Sequence, residues 1–229
     1  MGKRMNVRSA RTDFALAVPA DWCSLTRLDS LGVQAALTAW LGAVDELAEF
    51  QGAVRAMLGA EAERVGDAAG IGLIACAFLD CERLVTGTAG VFVVPNPFMG
   101  ADGMPVVDPP RMVELARTEL TPNGPGPVGS QPSGTPASGT PAAEPVSAVV
   151  LRGDGGGTPA MRVRMLATVP AYGGAGDVGV DRVQHFVPIP PDGRDLLLLD
   201  FLTPFLNFSD EMINLWDKVV ETFRWVPDR

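Results

Sequence analysis

The chain has 229 residues, of which 47% are hydrophobic and 20% charged, and its formal net charge at pH 7 is −9. A chain of this length and composition can bury one sizeable core. The acidic balance argues against nucleic-acid binding, which needs clustered lysine and arginine side chains. No apolar stretch reaches the ~18 residues that a membrane-spanning helix requires.

The N-terminal residues are basic and are followed by the apolar run "FALAVPA". A signal peptide has this order, but Asp13 interrupts the passage from basic to apolar, and Pro19 favours the end of a strand over 14–18. We therefore predict a flexible N-terminus over residues 1–12, a single domain over 13–229 and a cytoplasmic location. An atypical export signal stays open as the alternative.

Residues 26–64 have the apolar periodicity of helices. The apolar positions recur at steps of three, four and seven, with charged residues mostly between them; they are Leu37, Trp40, Leu41, Val44, Leu47, Val54 and Leu58. Glycine is unfavourable inside a helix, so we predict that the tract breaks into two helices near Gly52. Its apolar surface is larger than one sheet face needs, and these helices are where we would expect a homo-oligomer to form.

From Gly70 onward the pattern changes to strands. Two apolar runs, 71–79 and 89–94, flank a polar stretch containing Asp80, Glu82 and the residues from Thr86 to Thr88, and together they predict a hairpin. A short helix is expected from Pro110 to Leu120 with Asp108 as its cap. Residues 121–145 are rich in proline, glycine, serine and threonine, so we predict a disordered insertion there.

Four further strands are predicted at 146–152, 160–169, 183–189 and 195–203, with no helix between them. This succession favours an antiparallel meander over a parallel sheet. In the second of these strands Arg162 and Arg164 alternate with apolar residues, which predicts one face open to water.

The chain ends in an amphipathic helix. Ser209 is the predicted cap, acidic residues follow it, and one apolar stripe faces the sheet; the stripe comprises Met212, Trp216, Val219, Val220 and Phe223. We predict an α/β (α+β) fold in which an antiparallel sheet is sandwiched between this helix and the 26–64 helices.

Candidate sites are weak in this sequence. Cys23, Cys76 and Cys81 lack a metal-ligand spacing and are expected to be reduced, buried thiols. The glycine-rich stretches 153–157 and 172–179 are followed by strands, whereas phosphate-binding loops precede helices, so hairpin turns are favoured.

His185 lacks an adjacent nucleophile or carboxylate and is expected to be structural or at the surface. Asp192, Asp195 and Asp200 are an unlikely cation cluster because two of them belong to a turn and a strand end, and the four tryptophans are expected in the core or at its rim; these are Trp22, Trp40, Trp216 and Trp225. We assign no catalytic, cofactor-binding or metal-binding residues, and the partner-binding residues stay unassigned.

The beginning and end of the chain carry a resemblance. The run "FALAVPADW" places Phe14, Val18, Pro19 and Trp22 in a "F-x-hydrophobic-x-x-P-x-x-W" pattern, and residues 188–226 give a "PDG" turn, a strand ending in "LTP" and a Trp-containing helix ending in "TFRW". This resembles PsbP-like domains, a superfamily that includes the photosystem II extrinsic protein, DcrB- and LpqN-type lipoproteins and secretion chaperones. The arginine-rich, lysine-poor composition is typical of a GC-rich, actinobacterial type of genome.

The resemblance implies a non-catalytic protein-binding module, an adaptor or chaperone that holds a partner polypeptide and needs no cofactor. The alternative is a small-ligand carrier or enzyme with a pocket between the sheet and the helices. A deep pocket with converging polar groups near His185 would favour the alternative, whereas a broad exposed apolar groove would favour the module.

Overall fold

The computed structural model describes residues 3–8, 13–26, 28–80, 83–119, 145–151, 158–170, 176–204, 206 and 209–226. In chain order the elements are β1 (Lys3–Arg8), β2 (Asp13–Val18), β3 (Cys23–Leu25), α1 (Ser30–Leu41), a 3-10 helix (Asp45–Phe50), α2 (Gln51–Asp67), β4 (Gly72–Asp80), β5 (Arg83–Pro95), α3 (Pro109–Glu119), β6 (Pro145–Leu151), β7 (Ala160–Pro170), β8 (Asp177–Pro188), β9 (Asp195–Thr203), α4 (Ser209–Val220) and β10 (Arg224–Val226).

The main sheet has seven strands in the order β3-β4-β5-β9-β8-β7-β6, and each neighbouring pair is antiparallel. Strands β6 to β9 form the predicted meander. Strand β9 pairs with β5 and so joins the meander to β4 and β5, with Phe92 opposite Leu198. The predicted antiparallel sheet is confirmed.

Both faces of this sheet are apolar and covered. Alternate leucines of β9 explain how: Leu196 and Leu198 belong to the core that α1, α2 and α3 close, whereas Leu197 and Leu199 belong to the core under α4. Side chains of successive strand residues point to opposite faces, so a strand buried on both sides must be apolar at consecutive positions. The predicted α+β sandwich is therefore correct.

Helix α4 buries its predicted stripe against the sheet. Trp216 is 1% exposed and packs on Phe201 and Trp22, with ring centroids 4.4 Å and 4.6 Å away. Ser209, the predicted cap, is the first residue of α4, and its hydroxyl accepts a hydrogen bond from Arg164 at 2.9 Å. The helix therefore contacts the sheet through both apolar and polar groups.

A second sheet, in the order β1-β2-β10, joins the two ends of the chain. Trp225 of β10 lies opposite Phe14 of β2, and the rings of Phe14 and Phe223 stack at 5.4 Å. Residues 1–12 are predicted to be flexible, but within them Lys3–Arg8 pair with all six residues of β2, and 1–2 and 9–12 lie outside the described residues. Strand β1 was not predicted because it depends on a tertiary contact, the hydrogen bonds to its partner strand β2.

The helical tract breaks earlier than predicted. Helix α1 ends at Leu41, where the Gly42 N–H bonds the Thr38 and Trp40 carbonyl oxygens, and a 3-10 helix precedes α2. The predicted division into two helices is confirmed, and α2 begins at Gln51 beside Gly52, but the interruption already starts at Gly42, and Gly52 itself lies in the first turn of α2 with open space around it. A glycine at an exposed helix position weakens a helix without ending it.

The tract does not leave the excess apolar surface that was predicted. Its apolar residues are enclosed against the sheet, including Leu37, Leu47, Val54, Leu58 and Val65 at 0% exposure. Among the described residues of α1, the 3-10 helix and α2, Leu31 is the large apolar side chain that stays exposed. The basis for expecting a homo-oligomer through these helices is therefore lost.

The hairpin of β4 and β5 is confirmed, but its turn is shorter than predicted. Asp80 pairs with Arg83, so Thr86 and Thr88 lie inside β5 and not in the turn. Gly87 between them lies under α4, where an added Cβ would be 2.7 Å from Met212 Cε and 2.7 Å from Trp216 Cζ2. The glycine permits close approach of the helix, which is a tertiary requirement.

The remaining predictions concern connections. Helix α3 begins with its cap as expected, since Asp108 Oδ2 accepts from the Arg111 N–H at 3.4 Å. The insertion over 121–145 lies outside the described residues except for Pro145, where β6 begins. The glycine-rich stretch 153–157 also lies outside them, and of 172–179 the structure describes 176–179, in which β8 begins at Asp177. None of the helices described is long and apolar enough to cross a membrane.

We predict that Trp216→Ala makes the protein marginal or insoluble. Removing a fully enclosed tryptophan typically costs ~3–5 kcal/mol, against a total domain stability of ~5–15 kcal/mol. Chemical denaturation measures the effect, with Leu215→Ala as the control because Leu215 lies next to it on α4 and is 37% exposed. A Trp216→Ala midpoint equal to that of the control would show that α4 is not structurally required.

We also predict opposite signs for two glycine substitutions. Gly87→Ala should destabilise by about 1–3 kcal/mol because the new methyl group overpacks the contact with α4. Gly52→Ala should stabilise by up to about 1 kcal/mol because the site is open and helical. Thermal denaturation of both variants tests this, and a stabilised Gly87→Ala would contradict the described packing of α4.

Candidate functional site

A buried polar network joins α4 to the sheet. We use this name for Arg162, His185 and Asp217. The carboxylate of Asp217 accepts from His185 Nε2 at 2.9 Å through Oδ1 and from Arg162 Nη1 through Oδ2. His185 is 0% exposed and Asp217 is 8% exposed. The sequence prediction of a structural or surface histidine is therefore resolved in favour of a structural one.

Burial favours the neutral form of His185. Burial lowers the pKa of His185, the Asp217 carboxylate opposes that shift, and Arg162 adds to it. Because a carboxylate only accepts, Nε2 carries the proton, and Nδ1 has no hydrogen-bond partner among the described residues. A second proton, on Nδ1, would have no hydrogen-bond acceptor among the described residues, and burial disfavours the charged form of the ring.

A second set of charges lies beside the network. Arg164 bonds Asp181 Oδ2 at 2.6 Å and Asp210 Oδ1 at 2.7 Å. Asp210 and Asp217 are seven residues apart, about two helical turns, so one side of α4 presents both carboxylates to the two arginines of β7. The predicted water-facing side of β7 is confirmed only in part: Leu166 and Thr168 on that side are exposed, whereas carboxylates of α4 and β8 cover Arg162 and Arg164 and leave them 17% and 24% exposed.

The three aspartates considered as a cation cluster, Asp192, Asp195 and Asp200, do not come together in the structure. Asp200 is buried and pairs with Arg182 at 2.7 Å, whereas Asp192 lies in the turn after β8 and bonds Arg194. Asp195 begins β9, five residues before Asp200. Within the described part of the chain, no group of three or more His, Cys, Asp or Glu side chains is arranged to hold a metal ion.

Two of the three cysteines, Cys23 and Cys76, lie among the described residues. Cys23 and Cys76 are buried, and neither takes part in a disulfide in the part of the chain that the structure describes. Burial raises the pKa of the Cys76 thiol to about 12, so it stays protonated and unreactive at neutral pH. Cys81 lies outside the described residues.

The described residues form a cleft of about 510 Å³ beside β3. We call it the edge cleft. One wall is the end of the β2–β3 turn with β3 itself, and the other is the C-terminal half of α1 with the start of the 3-10 helix; the lining residues are Ala20, Asp21, Cys23, Ser24, Ala36, Ala39, Trp40, Ala43, Val44, Asp45 and Glu46. A hydrogen bond of 2.7 Å from Trp40 Nε1 to the Asp21 carbonyl ties the walls together.

The chemistry of the edge cleft is that of a binding surface. Alanine side chains of α1 form an apolar wall, and the exposed carboxylates of Asp21, Asp45 and Glu46 line the opening. His185 is not among the lining residues, and the described lining contains no histidine, lysine or arginine. A second recess, of about 350 Å³, is formed by the turn around Pro190 and Pro191.

Sequence reasoning missed both the network and the edge cleft. The seven-residue spacing of Asp210 and Asp217 was a usable signal for the network, because it places both on one helix face. The edge cleft had no such signal, since its walls are distant in the chain. No family model matches this sequence, and no curated protein matches it.

We predict that stability falls as the pH drops below about 6.5. His185 has a lowered pKa in the folded state, so unfolding takes up a proton there below its ordinary pKa of ~6.5, and stability is retained above that value. The loss between pH 7.5 and 5.5 has an upper limit of about 1.4 kcal/mol, which is the linkage limit for a single histidine. The measurement is chemical denaturation at both pH values.

His185→Gln provides the matched comparison. His185 is the single histidine of the chain, so the variant should lose most of the pH dependence in this range. An identical dependence in both proteins would mean that His185 does not stay neutral in the folded state.

Proposed function

We propose that this protein is a non-catalytic protein-binding module that holds a segment of a partner polypeptide in the edge cleft. The observation that carries the proposal is the cleft itself: an open recess between an edge strand and a helix, apolar on the α1 wall and carboxylate-lined at the opening. Peptides are commonly bound along such edges through backbone and side-chain contacts together.

The placement of the titratable groups supports binding over catalysis. The histidine–carboxylate pair most similar to a catalytic dyad lies in the core, where His185 is 0% exposed, and it contacts α4 and the sheet. Catalytic acids and bases must be within reach of a substrate. We infer that this pair positions α4 and that the exposed cleft is the functional surface.

The resemblance to PsbP-like domains is consistent with this proposal, since that superfamily includes adaptors and chaperones. A cytoplasmic location belongs to the proposal as well, because buried reduced thiols such as Cys76 are ordinary there. The partner would then be another cytoplasmic polypeptide.

A small-ligand carrier is the second candidate. The volume of the edge cleft, about 510 Å³, lies within the range of ~300–1,000 Å³ typical of small-molecule pockets. Its place between β3 and the 26–64 helices is also where such a pocket was expected. Native mass spectrometry of the purified protein separates the two, because a carrier would retain a small molecule of defined mass.

The proposal predicts site-specific crosslinking to a partner. A photoreactive amino acid replaces Ala39, which lines the edge cleft, or Asp102, an exposed residue that does not line it. In an extract of host cells, irradiation should yield a discrete protein adduct from position 39 and none from position 102. Mass spectrometry then identifies the adduct, and the partner is purified for binding measurements.

The purified partner should bind Ala39→Trp at least about tenfold more weakly than wild type, a loss of about 1.4 kcal/mol, because the indole fills the edge cleft. Asp102→Trp should bind as wild type does. Equal adducts at both positions, or unchanged affinity of Ala39→Trp, would contradict the proposal.

A further inference from the structure

Strand β3 is an edge of the main sheet. It pairs with β4 over Cys23–Leu25, and no other described strand adjoins it. The edge of a sheet is a template on which an extended chain can add as a further strand. The edge cleft lies along β3, so a segment held there would lie beside the sheet.

The opposite wall permits close approach of such a segment. Ala36 and Ala39 lie three residues apart on α1, Ala43 follows the helix just beyond its C-cap Gly42, and all three line the edge cleft. Each projects only a methyl group. The wall therefore accepts small apolar side chains that alternate along an extended chain.

The carboxylates that line the edge cleft favour an occupant with positive charge. Asp21, Asp45 and Glu46 are all exposed at the edge cleft, and no basic group is among its described lining residues. Electrostatic complementarity favours lysine or arginine side chains at these positions, and the net charge of −9 steers a cationic segment toward the protein.

We propose that the edge cleft binds a short extended polypeptide segment that pairs with β3, places small apolar side chains against α1 and carries lysine or arginine beside Asp21, Asp45 and Glu46. This inference rests on the proposed protein-binding function and names the chemistry of the partner. A short edge strand also limits unwanted pairing, but that role alone gives no reason for the adjoining cleft and its charges.

The test uses a phage-displayed library of random 12-residue peptides selected on the full-length protein. Enriched peptides should carry lysine or arginine flanking an alternating small apolar core. A synthetic copy of the most enriched peptide is then measured by fluorescence anisotropy at low and at high salt. Its affinity should fall with salt, because the contacts at the opening are exposed ion pairs.

Charge reversal gives the matched variants. Asp45→Lys/Glu46→Lys should weaken binding of that peptide at least tenfold, whereas Glu63→Lys/Asp67→Lys, which changes the net charge equally at exposed positions of α2, should weaken it less than threefold. All four positions are exposed, so both variants should fold; denaturation midpoints verify this. Amide hydrogen exchange in β3 should slow when the peptide is bound.

Three results would overturn the inference: no peptide enriched, enriched peptides without basic residues, or binding insensitive to Asp45→Lys/Glu46→Lys. Unchanged exchange in β3 with intact binding would overturn the strand pairing. In each of these cases crosslinking from Ala39 to a natural partner would leave the protein-binding function standing, so that the two failures are distinguishable.

Discussion

The central sheet is apolar on both faces, and the other elements are placed by the need to cover them. Strand β9 shows the constraint in one segment, since its successive leucines alternate between two separate cores. One face is covered by α1, the 3-10 helix, α2 and α3. The other face is covered by α4 and β2. The edge cleft lies where the first of these covers ends, between β3 and the C-terminal half of α1.

The polar groups between α4 and the sheet fix the orientation of this helix. Hydrophobic contact alone would tolerate several orientations of a helix on a sheet, whereas Asp210 and Asp217 can meet Arg164 and Arg162 together only when α4 runs as it does. Buried ion pairs contribute little net stability because their desolvation is costly, and their specification of geometry is a better-supported role. We regard the buried polar network in this way. It gives the buried pair of His185 and Asp217 a structural role, the orientation of α4 on the sheet.

Much of the fold was predictable, because local patterns and tertiary contacts agree there. The stripe of α4, the consecutive leucines of β9 and the alternation of β7 each reflect a buried face. Prediction failed where a tertiary contact decides the structure: Gly87 and Thr88 resemble turn residues, yet they lie in β5 because α4 needs a close approach there. The carboxylates that bind Arg162 and Arg164 come from α4 and β8, which are distant in the chain. The sequence around the two arginines therefore predicts that they face solvent. The edge cleft combines residues about twenty positions apart, and no short motif encodes it.

A partner polypeptide bound in the edge cleft, as we propose, would shield the carboxylates that line it. Carbodiimide footprinting of carboxylates, followed by mass spectrometry with and without the purified partner, tests this proposal most directly. The account predicts that labelling of Asp21, Asp45 and Glu46 falls on binding while labelling of Glu63 and Asp102, which do not line the cleft, stays the same. Unchanged labelling of all three cleft carboxylates in a saturated complex would contradict it.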